Sequence, residues 1–417
     1  MAIHIHQYPY TGILAQLSSH LPQSGPLLRR IQHQANAATP SPTARVLASF
    51  PENENPDSFS SEPWIAAYVD VNRGPDTQVW VFSSLETRSS AQNSNATITE
   101  SEKQTTKRLL LTLFTFIRTD LVPGYLDWVS SQPVPQHKKE AEEGVKKIPP
   151  HPLASVLVGS VHEFTVSLIV ELAAEEKTLR IHRGQNFFYA KYCFPSSSFE
   201  NSDIHGSGKI EESGYTFTDS NGLYGIQEHH IPLVKSRTNI PRSKEALMAM
   251  GGVALYHRPR TPVSTSESGA HGEEEGGKMP IAWAFLGFDG SMSSLHVEAE
   301  HRGRGLAVLV GREVMRRGVK VFGNSYGHLR SKPNGNRNGA IDLDGQDDGG
   351  EDAGQSEAEH TSASTPNGST GAAADQEKQE WFFADVAVGN TASRRVMEKM
   401  GGEARWNVAW MVVEMDI

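Results

Sequence analysis

Apolar residues at Ile13, Leu14, Leu17 and Leu21 recur with a helical period, and the spacing predicts a short helix over 12–21 that Pro22 stops. Apolar runs at 64–70 and 78–83, joined by a turn with Asn72, Gly74 and Pro75, predict two strands. Residues 87–103 are polar and read as loop. The amphipathic run 106–128 predicts a helix broken at Pro123. A charged, proline-bounded connector fills 133–152, strands are expected at 179–181 and 186–192, and the small polar run 196–214 reads as a domain boundary. Beyond it the alternation predicts strands at 223–227, 253–257, 281–288, 293–297, 381–388 and 406–414. Helices are expected at 242–250, 304–317 and 391–400, the last closed by Gly401-Gly402, and Asp289-Gly290 reads as a hairpin turn. Two inserts, about 259–278 and 328–378, hold almost no large apolar residue and are expected to be disordered.

Composition sharpens this picture mainly through where the charge lies. The chain has 417 residues and a net charge of −10, and between Ile341 and Glu380 eleven acids face Lys378 alone. The remainder is balanced and offers no basic face, which argues against a nucleic-acid partner. The acidic insert reads as a solvated tether, with docking to a basic partner as the alternative. No run of eighteen apolar residues occurs, so a membrane span is not expected. The lone Cys193 excludes a disulfide scaffold and a cysteine zinc cluster, and reads as a buried small hydrophobe. The opening residues lack a secretion signal, so the cytoplasm is the expected location; an acid-poor start with Arg29, Arg30 and Arg45 keeps mitochondrial import as an alternative, and the nucleus is a third. His4 and His6 share a strand face without a third ligand nearby, and no metal is expected. His229-His230 reads as a surface pair. No Gly-x-Ser-x-Gly elbow and no Gly-x-x-x-x-Gly-Lys loop is present, against a hydrolase or a nucleotide triphosphatase.

One segment carries chemistry. The strand ending at Leu295-His296-Val297 leads through Arg302-Gly303-Arg304-Gly305 into a helix beginning Leu306-Ala307. Glycines let the backbone approach an anion, the arginines add positive charge, and the first helical turn supplies free N–H groups and the positive end of the helix dipole. This is the make-up of a phosphate site.

Residues Arg302-x-x-Gly305-x-Ala307 fit the Arg/Gln-x-x-Gly-x-Gly/Ala signature, and the chain resembles the GNAT superfamily of acyl-CoA N-acyltransferases. With the hairpin 280–291 and Asn390-Thr391-Ala392-Ser393 opening the helix that ends at Met400-Gly401, it looks like the glycine N-acyltransferase-like branch. The resemblance covers about 223–414 apart from the inserts, and the first half is similar, more weakly, to a degenerate copy. It implies an α/β (α+β) fold of two tandem acyltransferase-like lobes, 1–205 degenerate and 206–417 complete, each a mixed central sheet with flanking helices. It further implies acyl transfer, acetyl in the leading reading, from CoA to an amine by direct attack. By the same resemblance, the backbone of Arg302, Gly303, Arg304, Gly305, Leu306 and Ala307 cradles the CoA pyrophosphate, and the main chain of Leu295 and Val297 pairs with pantetheine. The Val297 amide faces the thioester oxygen, and Asn390 bonds the cofactor arm or caps its own helix. Two positions depart from the pattern: Ser291 stands where the usual Glu base falls, and Met397 where the usual Tyr acid falls. His296 or Asp289 could replace the base and Ser393 the acid. The alternative is a non-catalytic acyl-CoA-binding or scaffold protein on a decayed acyltransferase fold.

Overall fold

The computed structural model describes residues 2–52, 62–74, 76–90, 97–132, 151–200, 214–258, 279–330 and 380–415, with backbone only over 321–330. Both inserts, apart from the helical residues 328–330, lie outside the described residues, as do most of the connector 133–152 and residues 201–213 of the boundary segment.

The strands are β1 His4–His6, β2 Arg45–Ala48, β3 Ile65–Val69, β4 Val79–Ser83, β5 Ser155–His162, β6 Leu179–Arg183, β7 Phe188–Pro195, β8 Tyr215–Thr216, β9 Gly252–His257, β10 Ala282–Leu286, β11 Ser291–Val297, β12 Trp381–Ala387 and β13 Glu403–Met415. The helices are α1 Thr11–Ser18, α2 Gly25–Asn36, α3 Leu85–Ser90, α4 Glu100–Phe116, α5 Val122–Ser131, α6 Glu163–Glu175, α7 Ser197–Glu200, α8 Ile231–Ser236, α9 Lys244–Met250, α10 Leu306–Arg330 and α11 Thr391–Lys399. All strands join one mixed sheet in the order β1-β2-β3-β4-β5-β13-β7-β12-β11-β10-β9-β8, with β6 also on β13.

Element order repeats along this sheet. The antiparallel pair β3/β4 is followed by a parallel step to β5, and the antiparallel pair β10/β11 by a parallel step to β12. The strand completing each set comes from the other half of the chain: β13 pairs with β5, and β7 pairs with β12. The cores sit on the sheet faces. Leu109, Leu110, Leu113, Phe114 and Ile117 pack on Val79, Val156, Val158 and Met411. Val310, Val314 and Met397 pack on Phe382, Ala384 and Val386.

Several expectations are corrected here. Residues 223–227 form no strand, because Gly222 and Gly225 turn the chain at φ +80° and +74°, leaving one bridge from Tyr224 to Thr218. The supposed loop 87–103 contains the end of α3 and the start of α4. There Thr99 and Glu102 cap each other's backbone reciprocally, a Thr-x-x-Glu signal present in the sequence. The break near Pro123 is a π-helical stretch, Ile117–Leu121, and helix resumes at Val122 with the proline in its first turn. Helix α10 runs to Arg330, past the expected end at 317. His230 is fully buried, not at the surface, with Nδ1 accepting from the Gln227 N–H at 3.0 Å. The helical run 100–131 is long and apolar enough to cross a membrane by length and composition alone; Leu109, Leu110 and Leu113 of its first helix are buried against the sheet.

Candidate functional site

The parallel pair β11/β12 is hydrogen-bonded at Ser291↔Phe383 and Met292↔Ala384 and not beyond. Above these two steps the strands part. Ser294 sits at φ +53°, and two residues, Ser294 and Leu295, stand opposite Ala284 alone, a bulge that bends β11 away from β12. A serine held in the left-handed region costs about 1 kcal/mol or more, so the surrounding sheet imposes the bend. The Glu298 N–H donates to Ile281 O on the β10 side. Strand alternation therefore turns the N–H and C=O groups of Leu295 and Val297 to the other edge, toward the gap.

The turn expected to bind phosphate lies at the mouth of this gap. Gly303 and Gly305 adopt φ +77° and +78° with open space where a Cβ would stand. Leu306 begins α10; the Val308 and Leu309 N–H groups both donate to Gly305 O, and those of Leu306 and Ala307 precede the first helical bond. The arginine side chains act on the protein itself. Arg302 Nε donates to Val297 O at 2.9 Å, closing the turn onto the strand. Arg304 Nη1 donates to Tyr215 Oη at 2.6 Å, and that hydroxyl also lies 3.1 Å from His301 Nδ1. Tyr215 is a site residue that the sequence reading missed. The corresponding helix of the first half, α4, begins with Glu100 and the Thr99–Glu102 cap, acids that would repel a phosphate.

Asn390 caps α11, its Oδ1 accepting from the Ser393 N–H at 3.0 Å, which leaves its Nδ2 amide for other partners. Ser393 is half-buried in the first turn of α11. Met397 is buried in the apolar cluster under α10 and α11. Ser291 Oγ donates to Asp289 Oδ2 at 3.1 Å, and both residues are buried at the foot of the hairpin. His296 points to the face opposite Leu295 and Val297. Its ring stacks on Trp283 at 4.6 Å between centroids, with Nε2 3.6 Å from Glu298. Burial lowers the imidazole below its ordinary value, and Glu298 opposes that in part. Cys193 is buried, and its thiol is pushed up to about 12 by burial. Among the described residues no group of three or more His, Cys, Asp or Glu is placed to hold a metal ion.

The side chains across the gap from α10 and α11 were also missed. Met292 and Ala384 face those helices, whereas Phe383 and Cys193 face the opposite side with Trp406 and Val408. Lys191 and Asp385 share that opposite side as register partners on β7 and β12, with Nζ 2.6 Å from Oδ1 and side chains 0% and 8% exposed. A lone charge inside the apolar runs 187–194 and 381–388 was the available signal, since such residues are seldom buried unless paired.

Residues 1–192 match the family model of the acyl-CoA N-acyltransferase verG N-terminal domain. A Drosophila protein solved by X-ray crystallography as a structural-genomics target covers 99% of this chain and 98% of its own. Its TM-score is 0.50 and its identity 11%. A GCN5-related N-acetyltransferase from Kribbella flavida covers 85% of this chain and 87% of its own, with TM-score 0.35 and 8% identity. No curated protein matches the chain in sequence. The fold, a large mixed sheet flanked by helices, is similar along the whole chain to that of the Drosophila protein.

Proposed function

We propose that this chain is an acyl-CoA-dependent N-acyltransferase, moving an acyl group, acetyl in our reading, from CoA to an amine by direct attack in a ternary complex. The observation that carries the proposal is the parted β11/β12 pair with the Arg302–Ala307 turn at its mouth. The family match of residues 1–192 supports it from the other half of the chain. Backbone N–H groups at the start of α10 would take the pyrophosphate. The edge of β11 at Leu295 and the Val297 N–H, the Val297 carbonyl being held by Arg302, would pair with the pantetheine amides as an added strand. The Val297 N–H would meet the oxyanion formed when the amine attacks the thioester. The Asn390 Nδ2 amide could hold the pantetheine arm while its Oδ1 holds α11. Ser291 and Met397 offer neither a base nor an acid, so proton transfer falls to other groups, with His296 and Ser393 the candidates the sequence supplies. Much of the barrier reduction would come from position.

Calorimetric titration with acetyl-CoA of the native protein and of Gly305→Asp tests this reading. The native chain is expected to bind and the variant to lose at least ~10-fold in affinity, because an aspartate there is strained and sets a carboxylate beside the pyrophosphate. Thiol release from acetyl-CoA with a panel of primary amines then separates an enzyme from the alternative, a non-catalytic acyl-CoA-binding or scaffold protein. No binding by the native chain would overturn both.

A further inference from the structure

We propose that Asp385, held by Lys191, is the proton acceptor for the incoming amine, on the face of the sheet opposite α10 and α11. This rests on the acyltransferase reading above. The two hydrogen-bonded steps between β11 and β12 set the register, and the next step places Ser293 beside Asp385 where the ladder ends. Phe383 and Cys193, two positions from Asp385 and Lys191, put this row on the face turned away from the helices. Apart from the Lys191–Asp385 ion pair, no hydrogen bond from the described residues reaches Lys191 Nζ, either Asp385 oxygen or the Ser293 hydroxyl, and all four atoms are buried. Buried polar atoms are seldom left so. These four belong to residues at the end of the β11/β12 ladder, where the gap through the sheet begins.

Chemistry requires a group at this place. The phosphate turn leads into α10, so CoA would enter the gap from the helix side, and an amine must approach the thioester carbonyl from the other side. Ser291, one turn of the pleat below Ser293, has its hydroxyl committed to Asp289. His296 shares the amine's face but lies over Trp283 of β10, away from β12. Asp385 borders the gap on the strand that would flank the thioester. Lys191 fixes the carboxylate through their 2.6 Å ion pair, and its worth as a base comes from position. Of the other titratable groups, Tyr189 and Cys193 on β7 feel the charge of Asp385 after the larger effect of burial, and Cys193 also feels Lys191 and the Arg405 and Glu403 of β13.

The proton ledger closes. The ammonium gives one proton to Asp385, and the neutral amine attacks the carbonyl carbon to form the C–N bond. The tetrahedral oxyanion collapses with cleavage of the C–S bond, the second N–H proton goes to the departing thiolate, and Asp385 returns its proton to solvent. Amide, CoA thiol and one released proton result.

Three proteins test the assignment: the native chain, Asp385→Asn, and the double variant Lys191→Met with Asp385→Asn. Each is followed by acetyl-CoA calorimetry, thermal unfolding, and thiol release against pH with an alkylamine, an arylalkylamine, a polyamine and a lysine peptide. The single variant is expected to bind acetyl-CoA as the native chain does. It should lose roughly 10²-fold or more in kcat/KM where the amine is protonated, and the loss should shrink as pH rises and the amine deprotonates in solution. An unpaired Lys191 could unfold the single variant. The double variant removes both charges, a change that buried pairs often tolerate, and it should be equally inactive. A folded double variant with native turnover would overturn the assignment, leaving the pair a structural one. A native chain that binds acetyl-CoA and releases no thiol with any amine would overturn the acyltransferase reading and this assignment with it.

Discussion

Asn390 shows how one residue can carry two requirements. Its Oδ1 is spent on the Ser393 N–H, and its Nδ2 remains for a ligand. Substituting Asn390→Ala should cost about 1 kcal/mol of stability through the lost cap and also weaken acetyl-CoA binding. Asn390→Asp keeps a capping oxygen but removes the amide donor, so melting temperature should hold while affinity falls. Calorimetry beside thermal unfolding separates the two roles, and equal affinity in Asn390→Asp would confine the residue to capping. The Asn390 cap and the turn at Gly303 and Gly305 were legible in the sequence, because their demands are local: a helix start, a positive φ. Lys191 and Asp385 were not legible together. Each is one charge in an apolar strand, and only the pairing of β7 with β12 brings them into contact.

Elements pack through a few buried polar contacts whose protonation sets a pH window. Glu86 in α3 is fully buried, accepting from Thr165 of α6 and the Ser83 N–H, and burial pushes its carboxyl up to about 8. The folded chain therefore holds a proton that the unfolded chain releases near 4.5. Stability from this group is complete below that pH and is lost as pH rises to about 8, at up to about 1.4 kcal/mol per unit. Glu86→Gln should flatten that alkaline decline in a plot of melting temperature against pH; an unchanged slope would show that another group controls it. His162 of β5 works in the opposite direction. Stacked on Trp406 and buried, it is lowered to about 3, so stability falls as pH drops from about 6.5 toward 3, where the unfolded chain takes up a proton the folded chain refuses. His162→Gln should soften that acidic limb, as read by the same scan. At this scale, long amphipathic patterns such as α4 were legible. Strand β5 and helix α6 went unread, because their apolar residues find a period only against β13 and α4.

The whole molecule is tied together by exchanged strands. Every neighbour of β13 (β5, β6 and β7) lies before residue 196, and β7 is also the partner of β12. The buried Arg29 of α2 adds a 3.1 Å ion pair to Glu380 at the entry to β12. Helix α2 also packs so close at Gly25 that a Cβ there would stand 2.2 Å from the Phe383 ring. A fragment of residues 206–417, cut where sequence composition changes, should therefore fail to fold, although it contains the whole Arg302–Ala307 turn. Circular dichroism and a thermal melt of that fragment test this, and a cooperative transition would contradict it. The boundary expected near 205 rests on composition alone, a run of small polar residues. Strand exchange does not show, since β13 reads the same whichever neighbours receive it.

That exchange also imposes an order in time. Strands β5 and β7 leave the ribosome about 200 residues before β13, a wait of roughly 10–40 s at ordinary rates of synthesis. Until β13 arrives, two apolar strands present unpaired edges to one another and to every neighbouring chain. The nascent protein thus spends its longest interval as a half-built sheet, and its yield in a cell would depend on what shields those edges before the closing strand is made.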